Sequence, residues 1–314
     1  MKQIVYGSLA LGLFAGAVGQ GRTDYAFSTI DYPGALLTFA DGINASGQVV
    51  GTYLGTDSRR HGFLLSGGTY TSFDVPGAFL FTDPYAINNA GQIVGRYNVS
   101  LTADNGFLRN GDTYTTLTVP GAMYTEAHGI NDTAQICGFA ATNFSSPRHG
   151  FLFSNGIYTS FDVPNSAETL AFGINNAGHI VGSYFDPVTE KSHGFLRNGD
   201  NYVTLDLPGS ALTAAIGINN SERIVGLYDT GVGSHGFMLQ GDTFSTLDPP
   251  GSTFTEPYGI NDSNQIVGFY IDATGTHGFL ATPTPEPCSS VLLALGVACL
   301  LGCTWRRRRA SATA

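Results

Sequence analysis

A histidine and an aspartate recur at one fixed interval along this chain. His61 precedes Asp74 by thirteen residues, and the same interval separates His149 from Asp162, His193 from Asp206 and His235 from Asp248. Such a pair can be two parts of a catalytic triad, two metal ligands, or an inert hydrogen-bonded couple. Repetition argues for the last. A catalytic His–Asp pair acts at one place, and copies spread along a chain do not build one site. In one further stretch Asn105 replaces the histidine and Thr118 the aspartate, still thirteen apart, so the two positions change together. The interval is centred on turn-forming dipeptides such as Asn155-Gly156. A two-residue hairpin there sets His149 opposite Asp162 on one sheet face. The pairs are therefore read as locks between adjacent strands. His277 has no aspartate after it, and Asp31, near the other end of the chain, is the expected partner.

The elements that position these pairs come from an internal repeat. Asn44, Asn88, Asn131, Asn175, Asn219 and Asn261 each follow an isoleucine, at spacings of 42 to 44 residues. A threonine stands six residues before each, from Thr38 to Thr255. After each comes an apolar pair with glycine (QVVG, QIVG, QICG, HIVG, RIVG, QIVG), then HGF or once NGF, then a hairpin. Every unit holds four short runs rich in Val, Ile, Tyr, Phe and Thr, separated by Asn, Gly, Asp and Pro. These are strand and turn signals. The fold expected is all-β: a six-bladed β-propeller of four-stranded repeats about 44 residues long. The opening YAFSTIDYPGA matches TYTSFDVPGA, and the closing THGFLATP matches RHGFLL. The N-terminal strand over residues 25–31 is thus expected to pair with the last HGF strand and close the ring.

The two ends differ from the body. Residues 1–19 carry Lys2, an apolar run and the small residues Ala17 and Gly19, the pattern of a secretory signal peptide. Residues 284–314 hold Pro285-Glu286-Pro287, an apolar stretch from Ser289 to Trp305, and Arg306, Arg307, Arg308 and Arg309. That stretch is just long enough for a single transmembrane segment, with the arginines on the cytoplasmic side. Residues 20–283 remain for the repeat body. Of four cysteines only Cys137 lies in it, so no disulfide staples it. Removing Lys2 and the four tail arginines leaves nine basic residues against 24 acidic ones. This balance excludes nucleic-acid binding through electrostatics and permits Ca²⁺ binding.

The order of Pro-Glu-Pro, apolar stretch and arginine cluster resembles a PEP-CTERM sorting signal. The resemblance implies an exosortase-type sorting protease as partner in a Gram-negative bacterium. It also implies transient membrane anchoring through the C-terminal segment, then delivery to the cell surface or exopolysaccharide matrix of a biofilm. Cys288, Cys299 and Cys303 make this tail unusually cysteine-rich for such a signal. The repeat body resembles bacterial extracellular HAF-type repeat proteins, with His-Gly-Phe-Leu for their His-Ala-Phe-Leu and Gly42-Ile43-Asn44 opening their second motif. That resemblance implies an exported repeat protein and no particular chemistry.

Residues outside the repeat are where a site can be built. The segment before each Ile-Asn varies and offers Asp83, Glu126, His128 and Glu256, with Asp41, Tyr85 and Tyr258 nearby. If the strand carrying the Ile-Asn motif is innermost, these meet at one mouth of a central channel. The sequence holds no calcium loop, zinc motif, nucleophile elbow or phosphate loop, and no cofactor is implied. Two functions stay open. One is a non-enzymatic binding or structural module for exopolysaccharide or surface proteins. The other is a secreted enzyme hydrolysing glycans or esters at the channel mouth. Convergence of the four candidates on one pocket separates the two.

Overall fold

The computed structural model describes residues 25–284, which form twenty-four strands and no helix (the last strand being Thr276–Pro283). Each repeat begins with an inner strand: Leu37–Ile43, Thr82–Ile87, Tyr124–Ile130, Glu168–Ile174, Leu212–Ile218 and Phe254–Ile260. Two antiparallel strands and an outer hairpin partner follow. The phenylalanine of every HGF or NGF motif (Phe63, Phe107, Phe151, Phe195, Phe237 and Phe279) is fully buried, as are Ile93, Ile136, Ile180, Ile224 and Ile266. The repeated apolar positions are thus the packing layer within and between repeats, and their burial is the main stabilising term.

The expected ring of six separate four-stranded blades is corrected. The hydrogen-bonded strands fall into four sheets, of four, eight, eight and four strands, and none closes into a ring. The merging has a local cause. Single parallel contacts, Tyr124 with Asp104 and Ser192 with Leu212, join the second repeat to the third and the fourth to the fifth. The opening strand Tyr25–Ile30 does lie beside Thr276–Pro283, giving the order first, last, last-but-one, last-but-two. This pairing covers the edge of one sheet, and it adds a strand within that sheet without joining two sheets.

Side chains close the circle instead. Asn44 Nδ2 donates to the Asn88 carbonyl, Asn88 to Asn131, Asn131 to Asn175, Asn175 to Asn219, Asn219 to Asn261, and Asn261 back to Asn44. Each Oδ1 accepts the backbone N–H groups two and four residues ahead, as Asn131 does from Thr133 and Gln135. All six are 5 % exposed or less. The repeated spacing of Asn is therefore a requirement of the circle. The repeated threonines do related work between repeats: Thr82 Oγ1 accepts from the Val75 N–H at 3.0 Å, and Thr169 from Val163 at 3.0 Å. Each ties the loop of one repeat to the inner strand of the next.

The expected transmembrane segment is not found among the described residues, where no helix is long and apolar enough to cross a membrane. The segment from Ser289 to Trp305, the sorting motif and the signal segment lie outside the described residues.

Candidate functional site

The His–Asp pairs sit on the outer strands. Nδ1 of His61, His149, His193 and His235 lies 2.8 Å from an Oδ2 of Asp74, Asp162, Asp206 and Asp248. His277 Nδ1 lies 2.9 Å from Asp31 Oδ2. In the unit lacking the pair, Thr118 Oγ1 donates to Asn105 Oδ1 at 3.3 Å. A tyrosine flanks four of the histidines, with Tyr53 and Tyr184 each 5.2 Å from the ring of His61 and His193. Five similar couples spaced around the circle hold strands and share no common site.

The unrepeated residues converge elsewhere. Every inner strand carries a β-bulge, at which the pairing register skips one residue. The residues skipped are Asp41, Tyr85, His128, Phe172, Ile216 and Tyr258. A bulge re-aims the side chain it inserts, and all six line one central cavity of about 410 Å³. The glycine that follows most of them lets neighbouring inner strands approach. A Cβ on Gly42 would stand 2.8 Å from the Ala86 Cα. The repeat thus builds an invariant frame with one variable side chain per unit aimed inward.

The cavity has two unlike arcs. Asp41, Tyr85, His128, Glu256 and Tyr258 supply polar groups, while Phe172, Ala214, Ile216 and Leu227 make an apolar wall. Burial drives the Asp41 carboxyl well above its ordinary range, with Asp83 and Glu256 adding repulsion. Burial pushes Glu256 up to about 7. The His128 imidazole is lowered by burial and stacks on Tyr85 at 4.1 Å between centroids.

Of the four candidates, His128 and Glu256 line this cavity and Asp83 and Glu126 do not. Asp83 Oδ2 is taken by Arg60 at 2.8 Å and Arg96 at 3.2 Å, and burial still raises its carboxyl. Glu126 is held by Arg96 at 2.7 Å and His128 at 3.2 Å. Burial would raise the Glu126 carboxyl, but these two partners lower it to about 2. No group of three or more His, Cys, Asp or Glu side chains is placed to hold a metal ion among the described residues. Arg96, which pairs with Asp83, Asp104 and Glu126, is not singled out by the sequence reading. Its signal is present in the sequence. After the apolar pair and glycine, the six units read Thr52, Arg96, Phe139, Ser183, Leu227 and Phe269, and only one is charged.

No protein-family model matches this chain, and no curated protein matches it. Solved structures do. A fucose-specific lectin from Aleuria aurantia aligns at a TM-score of 0.51 and 13% identity, covering 83% of this chain and 100% of its own. A mutant of AofleA from Arthrobotrys oligospora aligns at 0.52 and 10% identity, covering 83% and 88%. A gluconolactonase from Xanthomonas campestris aligns at 0.51 and 9% identity, covering 83% and 90%. At these identities the likeness shows the fold alone, and that fold is a β-propeller.

Proposed function

We propose that this chain is an extracellular, non-enzymatic binding module whose central cavity takes a compact ligand with hydroxyl groups and one apolar face, such as a sugar ring. The carrying observation is the set of six bulge side chains, all from equivalent positions and split into a polar and an apolar arc. About 410 Å³ lies within the range of small-ligand pockets. Polar groups on one arc would orient the hydroxyls, and Phe172 and Ile216 would cover the apolar face. A propeller hosts binders and enzymes alike, so the fold does not choose between them. The pairing of Asp83 and Glu126 with arginines favours binding, since those carboxylates are spent on internal bonds. The resemblance of the chain's two ends to export signals supports a ligand in exopolysaccharide or on surface proteins, with an exosortase-type protease handling delivery. A glycan array probed with the purified protein, with and without Ca²⁺, tests the proposal. A bound glycan released by Ile216→Trp, which fills the cavity, supports it; an empty array sinks it.

One observation favours hydrolysis as a second reading. Glu256, held near 7, shares the cavity with the raised Asp41, and a carboxyl poised near neutrality suits a general acid. Turnover of a glycan or ester by the wild type and its loss in Glu256→Gln would move the function to this reading.

A further inference from the structure

We propose a second binding site, for one neutral pyranose ring of a glycan, in the cleft over the third repeat, flanked by the second and the fourth. It shares no lining residue with the central cavity and does not rest on the function proposed there. The cleft encloses about 620 Å³. Its floor departs from the repeat. Where the first and third units place Arg60 and Arg148 before the HGF histidine, the second places Asp104. Arg60 and Arg148 each pair with an acid at the start of the next inner strand, Asp83 and Glu168. Asp104 instead faces the neighbourhood of Glu126, another acid. Arg96 mediates, 2.7 Å from Glu126 and 3.7 Å from Asp104. Burial pushes the Asp104 carboxyl up to about 6, with Arg96 opposing and Glu126 adding to the rise.

An unused polar group makes this more than an acidic cluster. Tyr124 lines the cleft, and its hydroxyl is buried and makes no hydrogen bond among the described residues. Tyr124 and Asp104 are 6% and 7% exposed. A buried hydroxyl without a partner is costly, so its presence calls for a ligand or solvent group to meet it. Above it stands Phe144, 69% exposed, its ring 3.8 Å from that of Tyr124. At the rim, Arg148 grips Glu168 through Nε at 2.6 Å and Nη2 at 3.0 Å.

These groups match a sugar ring better than an ion. The charges are mixed, with Arg96 and Arg148 against Asp104, Glu126 and Glu168, so neither a phosphate nor a cation meets a field of one sign. A pyranose offers adjacent hydroxyls that both donate and accept, for Asp104 and the Tyr124 Oη, and a C–H face for an exposed aromatic ring. Phe144 supplies that ring at the mouth.

The test is calorimetric titration of the purified protein with neutral mono- and disaccharides drawn from array hits. Phe144→Ala is expected to weaken binding at least tenfold. Tyr124→Phe should weaken it roughly three- to tenfold without lowering the melting midpoint, because the removed oxygen has no protein partner. Ile216→Trp, which fills the central cavity, should leave this binding intact. If that variant does not fold, Leu227→Phe takes its place. Sugar binding that ignores both cleft variants, or that vanishes with the central cavity alone, overturns the cleft site. The second of these outcomes would support the central-cavity function. Failure to bind any neutral sugar overturns the cleft site as well.

Discussion

Asp31 and His277 lie 246 residues apart and meet at 2.9 Å. The bond carries the repeat's outer lock across the two ends of the body, where the opening strand lies beside the last. The aspartate side chain is 47% exposed, so the bond is worth less than a buried one, about 0.2–1 kcal/mol. Asp31→Ala should lower the unfolding free energy extrapolated from urea denaturation by that amount. Unchanged stability in Asp31→Ala would show that the terminal strand is held by its backbone pairing alone.

Asp162→Ala is expected to cost less than Asp206→Ala, although the two couples have equal bond lengths. His193 stacks beside Tyr184, while the residue paired with His149 is Ala140. His149 is accordingly 52% exposed against 16% for His193. Parallel denaturation of the two variants checks the order, and equal losses would mean that the tyrosine cover contributes nothing.

The asparagine circle should be far more sensitive. Asn131→Ala leaves the N–H groups of Thr133 and Gln135 and the carbonyl of Asn175 without this partner. The bond to the Asn175 carbonyl is buried and the two N–H bonds are part-buried, so at about 1–3 kcal/mol for a buried group left unmade the loss should be about 2 kcal/mol. Thermal melting would show it as a drop of several degrees. A near-neutral Asn131→Ala would remove the circle from the list of stabilising devices.

A second circle outside the first is incomplete. Backbone N–H groups of Ala45, Asn89, Asp132, Asn176 and Asn220 each donate to the side chain one repeat on, ending at Asp262. The sixth step is missing because Ala45 has no side-chain oxygen. Ala45→Asn supplies one, and should stabilise the protein by about 0.5–1.5 kcal/mol. Destabilisation in that variant would mean that the seam between the last and first repeats differs from the other five.

Stability should fall as pH rises from about 4.5 to 7. Glu256 has an ordinary value of 4.5 and about 7 in the folded chain, so the folded state binds the extra proton in that window. Its contribution is full below 4.5 and lost through 7. Asp104 acts the same way from 3.8 to about 6. Glu126 has the opposite sign, with its stabilisation lost as pH falls from 4.5 towards 2. Glu256→Gln should flatten the upper part of the profile. A profile unchanged in that variant would show that Glu256 titrates normally.

The sequence by itself determined the strands, their count per repeat, the His–Asp couples and the variable positions, because each depends on local pattern or on a two-residue hairpin turn within a thirteen-residue interval. Asp41, Tyr85, His128 and Tyr258 stood out as variation within a repeat before any coordinates. Other features depend on contacts between units. Asn44 bonds to a carbonyl 44 residues away, and no local pattern states which group receives it. The count of sheets turned on two parallel contacts, at Asp104 and Ser192, set by how neighbouring repeats splay. Asp83 and Glu126 look in sequence like free carboxylates of a channel mouth. Only the tertiary structure brought Arg60, from the preceding repeat, and Arg96, from the neighbouring strand, close enough to neutralise them. It left Glu256 and Asp41 in the cavity and Asp104 in the cleft, because charge compensation is decided by distances that the repeat does not encode.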